Sequence, residues 1–247
     1  MSLDGRVALV TGAARGIGKV VSLCLAEAGA SVVVNYLNSE EGARRLVMEI
    51  ESLGKSAVAI RADVTDQNQV IQMMEGVRSK FNRLDILVNN VGDWISKWVE
   101  EMTLDEWKRV IDTNLTGTFL CSKHALPLMK QNGWGRIVNI AAAGAYRAHG
   151  TASMSAFYAA KAGIVAFTKA LAREAGQHGI TVNAVSPGMV TEKERTKQEA
   201  MTIKDKETAV GRPGTSYDIA EAILFLVSEN ASFITGDVLN VTGGWLL

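Results

Sequence analysis

Short apolar segments rich in β-branched residues alternate with segments of helical spacing along this chain. The predicted strands are Arg6–Thr11, Ser31–Tyr36, Ala57–Ala62, Leu84–Asn89, Gly135–Ile140, Ile180–Ser186 and Asp237–Val241. The helices predicted between them are Ile17–Gly29, Ser39–Leu53, Asp66–Phe81, Leu104–Lys130, Ser155–Gly176 and Tyr217–Ser228. Strands without polar alternation are buried on both faces, which is typical of a parallel sheet. We therefore expect an α/β fold, in which helices cover both faces of a doubly wound parallel sheet of about seven strands.

The length and charge of the chain limit the classes of protein to which it can belong. Its 247 residues fit one domain spanning 1–247. The 26 basic and 26 acidic residues balance, so we expect neither a nucleic acid nor an anionic membrane as a partner. No apolar run approaches the ~20 residues of a transmembrane helix, and no leader sequence precedes the first strand. Cys24 and Cys121 lie in predicted helices, and we expect free buried thiols in a cytoplasmic protein.

One segment interrupts the alternation of strands and helices. Residues 188–212 are mostly polar and charged, and loops this long inside a compact domain are usually functional or disordered. We expect a helical lid over a substrate here. A solvated charged insertion is the alternative.

The turn after the first strand, VALVTGAARGIG, is rich in glycine. Glycine lets backbone N–H groups approach a pyrophosphate, and the N-terminus of the following helix adds favourable partial charge. The strand–turn–helix context predicts a Rossmann-type dinucleotide site, although the glycine spacing differs from G-x-G-x-x-G. Its candidate residues are Gly12, Arg15, Gly16, Ile17 and Gly18.

The end of the second strand indicates which dinucleotide is bound. An NAD site usually has an acidic residue there, which binds the 2′-hydroxyl of the ribose. This chain has Asn35 and Tyr36 instead, so no carboxylate would repel a 2′-phosphate, and Arg15 is placed to pair with one. We expect NADP(H) rather than NAD(H), with Asn35 among the contacts. The alternative for Arg15 is a solvated loop cation.

Four motifs follow one another along the chain: TGAARGIG, NNVG at 89–92, YAAK at 158–161 and SPGMVT at 186–191. With them the chain resembles the short-chain dehydrogenase/reductase family over essentially its full length, and it is most similar to the 3-oxoacyl-[acyl-carrier-protein] reductase branch. The resemblance implies that Tyr158 is the proton donor, that Lys161 lies beside it and that Asn114 holds a water in a proton relay. It implies further nucleotide contacts from Asp63, Val64, Asn90, Gly92, Tyr158, Lys161, Pro187, Gly188, Val190 and Thr191.

Two of these residues have structural alternatives. Asp63 suits the N-cap of the helix that follows it, in place of a contact with adenine. Asn114 falls in the middle of a predicted helix, where it could face solvent or distort the helix locally.

The chemistry expected of Tyr158 and Lys161 is electrostatic. A free tyrosine has a pKa of ~10, and a nearby ammonium favours the phenolate form. The two residues lie one turn apart on one helix face, so Lys161 can supply that charge and can also hold hydroxyls of the nicotinamide ribose. Tyr158 would then protonate a carbonyl oxygen while the cofactor delivers a hydride to the carbon.

The family's serine, which hydrogen-bonds to the carbonyl oxygen, has no counterpart at the matching position. Counted from the end of the strand Gly135–Ile140 this position holds Ala142, and counted back from Tyr158 it holds Ala145. Because the loop is longer than usual in the family, we assign the position to Ala142. Loss of one such donor typically costs ~10²–10³ in rate.

Three explanations for the missing hydroxyl stay open. Another side chain substitutes for it: Ser153 or Ser155, for which capping of the next helix is the alternative, or Tyr146 or His149, of which His149 could equally be a solvent-exposed loop residue. A second explanation is an engineered serine-to-alanine replacement that traps a complex. The third is a natural protein with little reductase activity.

The sequence therefore predicts an NADP(H)-dependent enzyme that reduces a ketone or 3-oxoacyl thioester, with activity lowered by the missing hydroxyl. An alcohol or sugar dehydrogenase and a catalytically impaired dinucleotide-binding protein are the alternatives. Trp94 and Trp98 could wall a substrate pocket, or pack in the core or at a subunit contact. We expect a small carbonyl or alcohol substrate, free or bound to acyl carrier protein, and no metal. The resemblance also implies a homotetramer.

Overall fold

The computed structural model describes residues 2–190 and 195–246. The strands of this part are β1 Val7–Val10, β2 Ser31–Tyr36, β3 Ala57–Arg61, β4 Ile86–Asn89, β5 Gly135–Ile140, β6 Ile180–Pro187 and β7 Val238–Val241. They form one parallel sheet in the order β3-β2-β1-β4-β5-β6-β7. The predicted fold class, a doubly wound parallel sheet of about seven strands, is confirmed.

Helices cover both faces of this sheet. The α-helices of the described residues are α1 Gly16–Glu27, α2 Glu40–Ser52, α3 Gln67–Phe81, α4 Leu104–Ile111, α5 Gly117–Asn132, α6 Ser155–Ala175, α7 Lys197–Met201 and α8 Ser216–Val227. One apolar layer contains α1, α2 and α8, and the other contains α3, α5 and α6. Along β1, Ala8 and Val10 enter the first layer while Val7 and Leu9 enter the second. Burial of both faces explains why the strands show no polar alternation.

The strand order changes direction between β1 and β4. Leu9 of β1 pairs with Val33 of β2 on one side and with Leu87 of β4 on the other. The carboxyl ends of these strands therefore lie level, while the loops after β1 and β4 run toward opposite faces of the sheet. Such a divergence leaves a crevice that can accept a ligand.

The single helix predicted at Leu104–Lys130 contains a π-helical segment, Asp112–Thr116, between α4 and α5. Asn114 lies in this segment with no exposed surface. Its Nδ2 donates to the carbonyl of Val110, one turn earlier, at 2.8 Å. A side chain that bonds to a helix carbonyl competes with the backbone N–H and widens the turn. The structure thus has the local distortion named as one alternative for Asn114, and the other alternative, a solvent-facing side chain, is wrong.

The charged stretch predicted as a lid over 188–212 contains the short helix α7. Lys197 at the start of α7 forms an ion pair with Glu221 of α8, so the stretch is anchored on the main body of the domain. The expected helix is present, and the lid function stays a prediction. Residues 191–194 lie outside the described part of the chain.

Two further expectations concern the cysteines and the membrane. Cys24 and Cys121 are free and buried, as predicted. Burial raises the pKa of Cys121 to about 12, which keeps this thiol protonated and unreactive near neutral pH. None of the helices at 2–190 or 195–246 has the length and apolar character required to cross a bilayer.

Helix α1 begins directly beneath the glycine turn because Gly18 has no side chain. A Cβ atom at this position would lie 2.6 Å from Asn90 Nδ2 and 2.7 Å from the carbonyl oxygen of Gly12. Asn90 Nδ2 and the Gly12 carbonyl oxygen both hold the turn in place, so neither atom can move away from an added methyl group unless the loop moves with it.

We expect Gly18→Ala to lower the free energy of unfolding by ~1–3 kcal/mol, the usual cost of overpacking, and to weaken dinucleotide binding. Gly176→Ala is the matched control, because no described atom beyond its chain neighbours and the backbone of its own helix lies within 4 Å of its Cβ position, and its φ is −56°. The control should be neutral or slightly stabilised. Urea unfolding measures both variants, and equal midpoints would contradict this account of the turn.

Candidate active site

A cleft of about 1300 Å³ opens at the carboxyl ends of β1 to β4. The segments that follow all four strands contribute to its walls. The predicted nucleotide contacts that line it are Gly12, Arg15, Gly16, Ile17, Asn35, Asp63, Val64, Asn90 and Gly92. Gly18 lies beneath the turn rather than in the wall. The structure thus brings together residues from four separate stretches of sequence at the place where an α/β sheet binds ligands.

Asn35, at the end of β2, holds the glycine turn against the sheet. Its Oδ1 accepts a hydrogen bond from the Gly12 N–H at 3.2 Å, and its Nδ2 donates to the Ala62 carbonyl at 3.1 Å. The turn after β1 is thereby tied to β2 and to the end of β3. Asn35 borders the cleft as expected, but its amide is engaged in the framework of the site.

Asn90, which directly follows β4, connects β4 to the end of β1. Its Nδ2 donates to the carbonyl of Thr11 at 2.9 Å, and its backbone N–H donates to Thr11 Oγ1 at 2.9 Å. These bonds lock the loops after β1 and β4 to each other across the switch in strand order.

Asp63 faces the cleft and does not cap α3. Its Oδ1 accepts from the backbone N–H and the hydroxyl of Thr65, at 2.9 and 2.8 Å. The N-cap of α3 is Asp66, which accepts from the N–H groups of Asn68 and Gln69. The interpretation of Asp63 as a cap is therefore wrong, because α3 begins at Gln67, about one turn later than a cap at Asp63 requires.

Part of the cleft wall was not predicted from the sequence. Asn38 and Ser39, directly after β2, line the same cleft as Arg15. A Cβ atom at Gly42 would lie 2.7 Å from Ser39 Oγ and 2.9 Å from the Ala14 carbonyl, so the start of α2 abuts the glycine turn. Asn38 and Ser39 could have been identified from their position directly after β2, since the ribose substituent of a dinucleotide is expected at the end of that strand.

Tyr158 and Lys161 lie on α6, next to the end of β5. Tyr158 is 9% exposed and Lys161 is 3% exposed. Lys161 Nζ donates to the carbonyl of Ile140, the last residue of β5, at 2.8 Å. Burial lowers the pKa of Lys161 to about 8, because removal from water disfavours the charged ammonium. The structure therefore holds a buried amine one turn along the helix from a buried phenol.

Asn114 directs an unused acceptor toward the same region. Its Nδ2 is occupied by the carbonyls of Asp93 and Val110, at 2.7 and 2.8 Å. Its Oδ1 is buried and accepts no hydrogen bond from the part of the chain that the structure describes. A Cβ atom at Gly92 would lie 3.0 Å from Asn114 Oδ1 and 3.4 Å from Lys161 Nζ. The backbone of Gly92 thus borders both polar atoms. The buried acceptor Asn114 Oδ1 suits a hydrogen bond from an ordered water.

The position predicted for the serine, Ala142, lies two residues after β5 and is buried. The following residue, Ala143, donates its N–H to the carbonyl of Pro187 at 3.1 Å. The backbone therefore follows the end of the sheet at this point, and the side chain of Ala142 there is a methyl group.

Neither nearby serine caps α6. The N-cap is Met154, which forms no capping hydrogen bond through its side chain, so the capping interpretation of Ser153 and Ser155 is wrong. Ser153 has a φ of 63° and shares a hydrogen bond with Ser96. Ser155 Oγ is shielded from solvent and has no partner among the described residues.

The residues predicted to meet the nicotinamide follow β6. Gly188 donates its N–H to the carbonyl of Val241 in β7 at 3.0 Å, and Val190 forms a parallel bridge with Gly214. Pro187 ends β6 itself. These three residues lie at the same edge of the sheet as the cleft, and Thr191 lies outside the described residues.

The donors and acceptors of the site suit a dinucleotide. The glycine turn presents backbone at the N-terminus of α1, Gly92 lines the cleft beside a buried amine, and Asn114 Oδ1 accepts no hydrogen bond from the described residues. No group of three or more potential metal ligands occurs at 2–190 or 195–246.

A parallel sheet with a cleft at its change of strand order is the arrangement of a nucleotide-binding protein of the α/β class. The profile of the family described as enoyl-(acyl carrier protein) reductase matches residues 12–246. The 3-oxoacyl-[acyl-carrier-protein] reductase of Synechocystis sp. is 40% identical over 247 residues, covering 100% of this chain and 99% of that protein. The 3-oxoacyl-[acyl-carrier-protein] reductase FabG of Salmonella typhimurium is 38% identical over 251 residues, covering 99% of this chain and 98% of that protein.

A solved structure gives the same result. The crystal structure of a candidate short-chain alcohol dehydrogenase from Sinorhizobium meliloti 1021 matches with a TM-score of 0.90 at 34% identity, covering 99% of this chain and 98% of that one. The chain belongs to the short-chain dehydrogenase/reductase family, and it is an oxidoreductase that uses a nicotinamide dinucleotide.

The lowered pKa of Lys161 predicts a pH dependence of activity. The ammonium is present below its pKa of about 8 and is lost as pH rises through that value. We therefore expect kcat/KM for the reduced dinucleotide, which reports groups of the free enzyme, to be level below this pH and to fall above it. Lys161→Arg keeps its charge at high pH, so its residual activity should not show the fall. An identical decline in both proteins would rule out Lys161 as the titrating group.

Proposed function

We propose that this protein is an NADP(H)-dependent reductase that converts a 3-oxoacyl thioester, or a related ketone, to the alcohol. The observation that carries the proposal is that Lys161, which lies on α6 one turn after the buried Tyr158, and Asn114 both border Gly92 in the wall of the cleft. The two relatives with 38–40% identity over nearly the whole chain, both named 3-oxoacyl-[acyl-carrier-protein] reductases, support this substrate class.

These residues divide the work of carbonyl reduction. The bound reduced nicotinamide supplies a hydride to the carbonyl carbon. Tyr158, one turn before Lys161 on α6, donates its phenolic proton to the carbonyl oxygen. Asn114 Oδ1 holds a water from which a proton returns to the pair. The buried surroundings strengthen each of these charge interactions, since few water molecules compete.

The preference for NADP(H) rests on charge at the end of β2. Residues 35–39 contain no carboxylate, so nothing there repels a 2′-phosphate. Arg15 supplies the positive charge, and Asn38 and Ser39 add hydrogen-bonding groups to the same wall of the cleft. A guanidinium and neutral polar groups form the kind of surface that recognises a phosphate monoester.

The substrate enters past Trp94 and Trp98, which are 59% and 60% exposed. These side chains are not part of the core, so one of the structural alternatives for them is wrong. Exposed indole rings next to the loop that bears Gly92 suit contact with an acyl chain. An acyl group carried by acyl carrier protein is the substrate form that the relatives' names support.

We also propose a homotetramer in the cytoplasm. The long helices α5 and α6 present Phe119, which is 43% exposed, in edge-on contact with Phe167 at a centroid distance of 6.2 Å. An exposed aromatic ring that packs on a partly buried one suits a subunit contact. The two free thiols are consistent with a reducing compartment. Light scattering on the purified protein measures the assembly directly.

The proposed reaction is tested by following NADPH absorbance with a panel of substrates. Acetoacetyl and longer 3-oxoacyl thioesters should be reduced, whereas a 2-enoyl thioester should not. Sugars and simple alcohols with NADP⁺ test the dehydrogenase alternative. Tight NADPH binding without consumption of NADPH on any substrate would favour the impaired binding protein and overturn the proposal.

Arg15→Ala tests the choice of dinucleotide. Loss of a charge-assisted hydrogen bond of ~1.5–3 kcal/mol should raise KM for NADPH by ~10–100-fold and leave KM for NADH nearly unchanged. Arg44→Ala is the control, because Arg44 pairs with Glu40 on the exposed face of α2. An equal loss toward both nucleotides in Arg15→Ala would show that the arginine does not read the 2′-phosphate.

A further inference from the structure

The aromatic ring that the buried amine of Lys161 faces is that of Phe157. Lys161 Nζ lies over this ring, 5.6 Å from its centroid, and a cation within about 6 Å of an aromatic face is attracted to it. Phe157 precedes Lys161 by four residues on α6, so the two side chains share one face of the helix. Helical side chains lean toward the N-terminus, which brings the lysine back over the phenyl ring.

The amine of Lys161 has few groups that replace the water it loses on burial. Lys161 is 3% exposed. Its hydrogen bond to the Ile140 carbonyl, at 2.8 Å, is the only one that Nζ forms with residues 2–190 and 195–246. An ammonium has three N–H donors, and leaving a charged group of this kind without compensation is costly. The face of the Phe157 ring is therefore a substantial part of the surroundings that the charge meets.

No neighbouring carboxylate of the described residues compensates the charge. α4, the π-helical segment, the turn 145–147 and strands β5 and β6 pack against α6. Their ionisable side chains, with that of the adjoining loop, are Asp93, Asp105, Glu106, Lys108, Arg109, Asp112, Arg136, Tyr146 and Arg147. Arg109 and Asp93 pair with each other at 3.1 Å, and Asp112 accepts from Thr116 at 2.9 Å. Burial is what lowers the pKa of Lys161.

The third direction from the amine leads to the cleft. A Cβ atom at Gly92 would lie 3.4 Å from Lys161 Nζ, and Gly92 lines the cleft. The Ile140 carbonyl thus takes one donor, and the Phe157 ring attracts the charge through the negative face of its π-system without a lone pair. A remaining donor of the ammonium is left for a ligand beside Gly92.

We propose that Phe157 is a positioning residue that keeps Lys161 in its charged form by presenting its ring face to the ammonium, so that the amine meets a bound dinucleotide as a cation. The inference rests on the proposed function only in that Lys161 faces the dinucleotide, and it needs no particular carbonyl substrate. Because the site is shielded from water, the attraction is stronger than that of an exposed pair.

A ring beside an amine acts in two opposite ways, and the sign of its effect distinguishes them. As an apolar cover the Phe157 ring excludes water, which lowers the pKa of Lys161. As a π-system it attracts the cation, which raises the same pKa. Fluorine atoms on the ring withdraw electrons from its face and change its bulk little. Fluorination therefore removes the attraction and retains the cover.

The test replaces Phe157 by phenylalanine with one, two or three ring fluorines. The Cε resonance of Lys161 in protein labelled with ¹³C-lysine reports the pKa of the amine, and its absence from Lys161→Arg assigns it. We expect this pKa to fall stepwise, by about one unit with three fluorines, which is the strength of a desolvated cation–π contact converted to pKa. Phe157→Leu, which keeps an apolar cover, should shift the pKa in the same direction.

Phe119 and Lys123 on α5 supply the matched control. Lys123 Nζ lies 5.7 Å from the centroid of the Phe119 ring, with the same spacing of four residues, but both side chains are exposed. Fluorination of Phe119 should leave the titration of Lys161 unchanged.

Affinity for the dinucleotide should follow the charge of the amine. Kd for NADPH, measured by fluorescence, should be level below the Lys161 pKa of about 8 and rise above it. With three fluorines at Phe157 the rise should begin about one pH unit lower, which weakens binding roughly two-fold near pH 7 and roughly five-fold near pH 8. In Lys161→Met this rise should be absent, with or without the fluorines.

Three results would overturn the inference. One is a Lys161 pKa that stays constant across the fluorinated series. Another is a pKa that rises in Phe157→Leu, because the ring would then act only as a cover. The third is a pKa that falls while the pH dependence of NADPH binding does not move. None of these measurements needs turnover, so a protein that shows the expected shifts but reduces no carbonyl compound overturns only the proposed function.

Discussion

The hydrogen bond from the buried amine of Lys161 to the carbonyl of Ile140 is the interaction on which the rest of the site depends. It joins α6 to the end of β5, and so it fixes where Tyr158 stands relative to the sheet. Removing an ammonium from water is costly, and the lowered pKa of Lys161 reflects that cost. A single carbonyl does not fully replace the hydration of an ammonium, which retains further donors for a ligand. The amine is therefore held in place and left with hydrogen-bonding capacity.

A set of asparagine amides builds the frame around this amine. Asn35 and Asn90 tie the glycine turn to the neighbouring strands, as described above. Deeper in the sheet, Asn89 donates to Asn139 at 2.8 Å, and Asn139 donates to Thr168 of α6 at 2.9 Å. Buried amides that hydrogen-bond to one another favour one arrangement of strands and helix, because any other register would break these bonds. The residues that surround the cofactor cleft are thus positioned by polar bonds as well as by the two apolar layers.

Much of this architecture could be predicted from the sequence, and the exceptions share a physical cause. Apolar strands such as Ser31–Tyr36 are recognisable because both faces are buried, and the glycine turn is recognisable because its chemistry is local. The cap of α3 could not be assigned between Asp63 and Asp66, since both precede the helix within one turn. The π-helical segment at Asn114 depends on a side chain bonding to the backbone, so it could be suggested but not located. The edge-on contact of the His149 ring with the Tyr158 ring depends on a loop in which Gly144 and Ala148 are left-handed, and no periodicity reveals such a loop.

The last turn of the described chain has a further role in shaping the site. Val210 donates its N–H to the carbonyl of Gly243 at 3.0 Å, and Gly244 leaves only 2.5 Å between its would-be Cβ and that of Ala209. The stretch after β6 is thus held by the segment that follows β7 as well as by α8. A substitution near Gly243 can therefore alter the course of the stretch around Val210, although the two lie far apart in the sequence.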